Sequence, residues 1–255
     1  MGLLALASPW SWNAAWDEVG VALVLGLAYA AASRRWAPSR ARALAFAGGL
    51  LLLVLLFVSP LQTLSLHYLL SAHLLQNVAL AEWVPALAVL GLSPGMAAAL
   101  ARFRTVQALT HPLVALPLWL AAYVVWHVPV VYDGALRHHL VLHVEHGTYF
   151  LTGALLWWSV FHDEPRRLPS GAKAAYLFSA FVLASPIGLL LALAPSAAYD
   201  FYAEAPRLWG LTPLADQQIA GVVMAVSEAT LFFALFAVYF VRFLAEEEAG
   251  YSASA

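Results

Sequence analysis

Apolar runs of helical length, separated by short stretches that carry charge, proline or glycine, follow one another along this chain from residue 17 to residue 243. A helix needs about 20 apolar residues to cross about 30 Å of hydrocarbon. Seven segments fit: Asp17–Ala32, Ala43–Leu64, Leu66–Leu92, Pro112–Tyr132, His139–Phe161, Ala172–Ala194 and Leu214–Phe243, the first of them short. The pattern predicts an all-α integral membrane protein, a seven-transmembrane-helix bundle that forms a single domain over residues 1–255. The first 16 residues or so read as an interfacial segment. Trp10, Trp12 and Trp16 suit the headgroup level, and the stretch lacks the basic start and small-residue cleavage site of a secretory leader. Residues 244–255, with Glu246, Glu247 and Glu248, read as an acidic tail.

Composition supports the membrane reading: 63% of residues are apolar and 10% charged, with a mean hydropathy of +0.80, far from the values of soluble domains. Charge placement adds an orientation, because Lys and Arg in short loops stay on the cytoplasmic side. Arg34, Arg35, Arg40, Arg42, Arg102, Arg104, Arg166, Arg167, Lys173 and Arg242 all fall on one side of the threaded chain, and only Arg137 and Arg207 on the other. The N-terminus is therefore expected outside and the C-terminus in the cytoplasm. A net charge of −2 without a basic run argues against nucleic acid as a partner. The absence of cysteine excludes disulfides, thiolate metal sites and Cys nucleophiles. Any metal must be held by His, carboxylate or Met.

Once threaded, seven of the nine histidines (His67, His73, His127, His138, His139, His143 and His146) fall at the outer ends of the spans. His139, His143 and His146 follow i, i+4, i+7 spacing, which stacks them on one helical face and lets all three point into the bundle. A lone histidine near a helix end is ordinarily an interfacial residue, which is the reading for His67, His111, His138 and His162. Three costly residues on one face of a span instead need a common partner. Metal is the economical one, since neutral imidazole is the commonest nitrogen ligand and a neighbouring acid usually orients its ring. Asp216 and Gln217 open the last span at the same level. Glu145 projects away from His143 and is expected to meet a different neighbour, His138 being the candidate. Glu82 and Glu228 lie about mid-span, and intramembrane carboxylates are functional candidates by default. Met224, on a stripe with Gln217, Gly221 and Glu228, adds a soft thioether or is plain packing.

Three segments resemble a known family. Trp126-His127-Val128-Pro129, then Tyr132, Ala135-Leu136, His143-Val144-Glu145-His146, Gly153 and Trp157-Trp158 are similar to the signature of the polytopic cytochrome c oxidase assembly factor CtaG family, associated with caa3-type oxidases. Ser71 to Gln76 with Pro85 and Gly91-Leu92-Ser93-Pro94 resembles its second motif, and Leu214 to Gly221, with Asp216-Gln217-Gln218, its third. The resemblance implies a multi-pass protein of the cytoplasmic (inner) membrane of a prokaryote. Its expected role is to bind copper on the extracytoplasmic side and pass it, as a chaperone, to an oxidase subunit or copper chaperone. It implies no direct catalysis. The family's histidine positions map onto His73, His127, His143 and His146, and its acid positions onto Glu145 and Asp216. Where the family often has a second histidine after the glutamine, this chain has Asn77; His67 is then a candidate to substitute from above, and His139, Gln217, Met224 and Glu228 are further candidates for ligands or their supports. Three other classes remain open: a seven-span zinc-dependent intramembrane hydrolase, a haem-binding electron carrier, and a metal transporter that uses Glu82 and Glu228 as steps.

Overall fold

The computed structural model describes residues 8–254, and among them every regular element is helical. In chain order these are α1 (Trp16–Ser33), α2 (Arg40–Val58), α3 (Pro60–His67), α4 (Leu70–Val78), a π-helical turn (Ala79–Trp83), α5 (Val84–Gly91), α6 (Pro94–Leu100), α7 (Arg104–Leu109), α8 (Pro112–Trp126), α9 (Pro129–Arg137), α10 (His139–Phe161), α11 (Ser170–Leu193), α12 (Asp200–Glu204) and α13 (Pro213–Ser254). Five are long and apolar enough to cross a membrane: α1, α2, the run from α4 through α5, α11 and α13. A sixth is added if α8 and α9, bent by 76° at a short break, count as one span. The 23-residue α10 has the length to cross, but His139, His143, Glu145 and His146 lower the hydropathy of its first half.

At two of the departures from the expected spans, proline is the cause. The second span stops at Val58 because Pro60 forbids a helical Ser59 and starts α3 instead. The fourth stops at Trp126 for the same reason, with Pro129 opening α9. The third span is one helical run from Leu70 to Gly91 in which the π-helical turn inserts an extra residue before Pro85. The expected acidic tail is not a separate element, since α13 continues through it to Ser254. Of the interfacial segment, residues 1–7 lie outside the described residues. Trp10, Trp12 and Trp16 are exposed, and Asn13 ties the segment to the α2–α3 break through Val58 O at 2.8 Å and Thr63 Oγ1 at 3.0 Å.

Two close approaches set the interior. A Cβ on Gly153 of α10 would lie 2.1 Å from the Ala81 carbonyl oxygen in the π-helical turn, so only glycine lets α10 pass there. A Cβ on Gly221 of α13 would likewise lie only 2.5 Å from Gly188 O and Ala192 N of α11. Helix α1 by contrast packs mainly on α2 and is almost entirely unburied. Between α1, α2 and α10 it leaves a cavity of about 370 Å³, lined by apolar residues such as Leu53, Phe57, Leu80 and Phe150 and rimmed by Asp17, Glu18, His143 and His146.

Candidate functional site

The end of the bundle that carries the histidines is closed by the 194–212 loop, which folds back over it. Asp133 of α9 accepts hydrogen bonds from the backbone N–H groups of Asp200 and Phe201, fixing the start of α12. Gln217 holds the loop from the other side, accepting from Ala198 N at 2.6 Å and donating to Ser196 O at 3.2 Å. Thus anchored, the loop sends Tyr199 and Tyr202 into the bundle, both buried. Tyr199 donates to the His127 carbonyl and Tyr202 to the Ser65 carbonyl, at 3.1 and 2.5 Å.

Those contacts decide which ring nitrogens are free. Because the Tyr202 proton is spent on Ser65, its oxygen can only accept from His73 Nδ1, 3.0 Å away. His73 is therefore protonated on Nδ1, and its Nε2 lone pair has no partner in the fully buried interior. His127 is set in the same way: Nδ1–H donates to the Tyr123 carbonyl one turn back, at 2.7 Å, and Nε2 is left without a partner. His146 is buried with neither ring nitrogen bonded, its ring 6.3 Å from that of His73 and 5.1 Å from Phe57. An orientation imposed through one nitrogen that leaves the other as a bare lone pair is the arrangement of metal-ligating imidazoles.

Glu145 belongs to this centre. The expectation that it meets His138 is wrong, because His138 is exposed while Glu145 is 1% exposed and turned inward. The Glu145 carboxylate accepts from Asn77 Nδ2 at 2.8 Å, and its Oε1 lies 3.9 Å from His73 Nε2. Asn77, the departure from the family pattern, thus supplies a donor to the acid where a histidine was expected. Two metal–ligand bonds of about 2.0–2.2 Å would span the separation between His73 Nε2 and the Glu145 carboxyl group.

The stacked triplet does not converge as its spacing suggested. His139 is exposed, His143 is 34% exposed and His146 is buried, so the stripe runs from surface to core. The His139 and His143 rings meet edge to face at 4.3 Å. His143 turns toward α1, with Asp17 Oδ2 at 3.7 Å and Glu18 Oε1 at 3.9 Å, at the rim of the cavity that His146 also lines. His67 is exposed and sits against Tyr68. Asp216 is a structural cap: its carboxylate accepts from Leu70 N, Ser71 N and Ser71 Oγ at 2.6–3.2 Å, closing the start of α4 from the neighbouring helix. Met224 and Glu228 are fully buried farther along α13. Among the described residues, no three His, Asp or Glu side chains are already drawn together to hold an ion.

Asp17, Glu18, Tyr123 and Tyr149 were not singled out from the sequence, whereas Tyr199, Phe201, Tyr202 and Trp209 of the outer loop read as aromatic residues able to cap the bundle. Depth would have found the two acids, which open α1 at the level where His139 and His143 open α10. Nothing in the pattern announces that Tyr202 of that loop reaches the His73 ring.

A model of the cytochrome c oxidase caa3 assembly factor family matches residues 24–246. Two uncharacterized proteins, one from Mycobacterium bovis and one from Mycobacterium tuberculosis, are each 25% identical to the chain over 240 residues. The match covers 83% of this chain but only 36% of either relative, so the chain spans about a third of their length. No solved structure matches.

Proposed function

Because the chain belongs to the cytochrome c oxidase caa3 assembly factor family, we propose that it takes part in oxidase maturation as the membrane protein that binds copper and hands it on. In this reading the bundle sits in the cytoplasmic membrane with seven spans, its basic end in the cytoplasm and its histidine end outside. The receiver is an oxidase subunit or a copper chaperone.

One observation carries the proposal: His73 and His127 are each oriented through Nδ1 so that an unpartnered Nε2 faces the interior, beside a His146 that has no partner at all. Each unsatisfied buried polar group costs about 1–3 kcal/mol, and several together persist where a ligand satisfies them. The set is incomplete and adjustable, which suits cargo that must leave again. His143, with Asp17 and Glu18 at the cavity rim, is placed to meet an arriving cation before the buried rings do. Protein purified in detergent is expected to bind copper, and the His73→Ala/His146→Ala variant to lose it. Unchanged copper content in that variant overturns the reading.

The cavity favours a second reading, a zinc-dependent hydrolase acting on an acyl chain, because its walls are apolar and two histidines stand at its rim. Stoichiometric zinc together with amide or ester hydrolysis by the purified protein would select it over copper delivery.

A further inference from the structure

Below the histidines the interior stays polar. Helices α4 and α13 run in the same direction and are pinned level by the hydrogen bond from Leu70 N to Asp216. Glu82 lies twelve residues past Leu70, and Glu228 twelve past Asp216. At 1.5 Å per residue both acids sit about 18 Å below that contact, close to the middle of a hydrocarbon layer about 30 Å thick. Both are fully buried, and none of their four carboxylate oxygens receives a hydrogen bond. They are close enough to interact electrostatically with each other. The Tyr123 hydroxyl, equally buried, lies within electrostatic reach of both acids and interacts most directly with Glu228. Glu82 owes its place to the π-helical turn, whose extra residue re-aims the side chain. No Lys or Arg lies on either helix between the histidine level and these acids. Two carboxyl groups without a basic partner at this depth are neutralised by protons or by a bound cation, and either must come from outside the chain.

The surroundings indicate the direction from which it comes. Toward the histidines the buried hydroxyls of Tyr149 and Tyr123 continue the line from His146 and His73, and the Tyr123 ring contacts both Tyr149 and His127. On the other side Trp119 and Trp157 both pack against Phe232 and close the floor with aromatic rings, their indole N–H groups buried without partners. The shaft carries hydroxyl and imidazole groups toward the histidines and is closed below by aromatic bulk.

We propose that Glu82, Glu228 and Tyr123 form a second cation site, an inner station for a divalent transition-metal ion that arrives past His73 and His146. Two carboxylates and a phenol oxygen from three helices supply the ligands, with Met224 buried one turn nearer the histidines on α13. The route rests on the proposed function, and the inner site itself on Glu82, Glu228 and Tyr123.

The test loads the full-length protein in detergent with Cu2+ alone. Stoichiometry is read by equilibrium dialysis and elemental analysis, and ligand type by the nitrogen hyperfine coupling in the electron paramagnetic resonance spectrum. Wild type is expected to bind two equivalents. Glu82→Gln/Glu228→Gln, which keeps side-chain shape, is expected to bind one that retains nitrogen coupling. Tyr123→Phe is expected to weaken the second equivalent by roughly tenfold, the size of one lost polar contact. A single nitrogen-coupled equivalent, lost in His73→Ala/His146→Ala and unchanged in the double glutamine variant, overturns the inner station and leaves copper binding at the histidines standing. A single equivalent without nitrogen coupling, lost in the double glutamine variant, supports the inner station and overturns the histidine site. Absence of bound copper from every form overturns both.

Discussion

At the basic end of the bundle, His162 is buried and donates through Nε2 to the Val89 carbonyl at 2.8 Å, while His111 caps α8 by accepting from Leu113 N. Arg42 closes the end of the third span on Leu90 O and Leu92 O, and Ser159 donates to Thr110 O. At the other end, His73, His127 and His146 together leave four ring nitrogens without a partner. His162, His73 and His146 are alike in burial and residue type, so neither distinguishes a working histidine from a structural one. Satisfaction does. Where a polar group is matched to backbone, it holds the fold; where it is left unmatched among other unmatched groups, the fold is holding it for something else.

Asp216 and Glu228 extend the contrast to the acids, since they share a helix and one is fully bonded while the other is bare. The largest stability loss among the following changes is expected for Asp216→Ala. It strips the cap from α4, leaving Leu70 N and Ser71 N without acceptors, at a cost of about 3 kcal/mol. Thermal unfolding in detergent reads it. A loss below about 1 kcal/mol would place Asp216 among the unmatched groups and return it to the list of metal ligands.

Next in size is Gly153→Leu. A side chain there must displace the Ala81 carbonyl or the Pro85 ring, and overpacking of that kind costs about 2 kcal/mol. Because the same π-helical turn places Glu82, the variant should also perturb the inner acids. Unaltered stability would show that α10 and the third span are not in the close contact described.

How much of this was legible beforehand depended on which physical signal each part used. Apolar runs and charge placement gave the helical membrane class, and the histidine–acid constellation was visible as residue types at one depth. The bends at Pro60 and Pro129 were readable as proline rules, but a threading by hydropathy passed over them. Burial order along His139, His143 and His146 was not readable, since helical spacing fixes a shared face and not how deep along that face the neighbours reach. Nor was the partner of Glu145, because Asn77 comes from another helix and pairing across helices leaves no mark on either sequence pattern.

A smaller effect is expected at the basic end. His162→Leu removes the donor to Val89 O and should cost about 1 kcal/mol without changing copper content. Loss of copper in this variant would erase the distinction between the two ends.

The smallest stability change, and the sharpest test of the contrast, is expected for His146→Phe. The imidazole makes no hydrogen bond, and its ring already sits 5.1 Å from that of Phe57, so a phenyl group of similar shape forfeits nothing polar and gains an aromatic contact. Replacing an unmatched buried polar group by an apolar one is often neutral or stabilising, and the unfolding midpoint should stay level or rise. Copper binding should nonetheless fall sharply, because the ring with two free nitrogens is gone. A variant that unfolds as readily as Asp216→Ala would mean that His146 is bonded in the working protein and belongs with His162, on the structural side of the division.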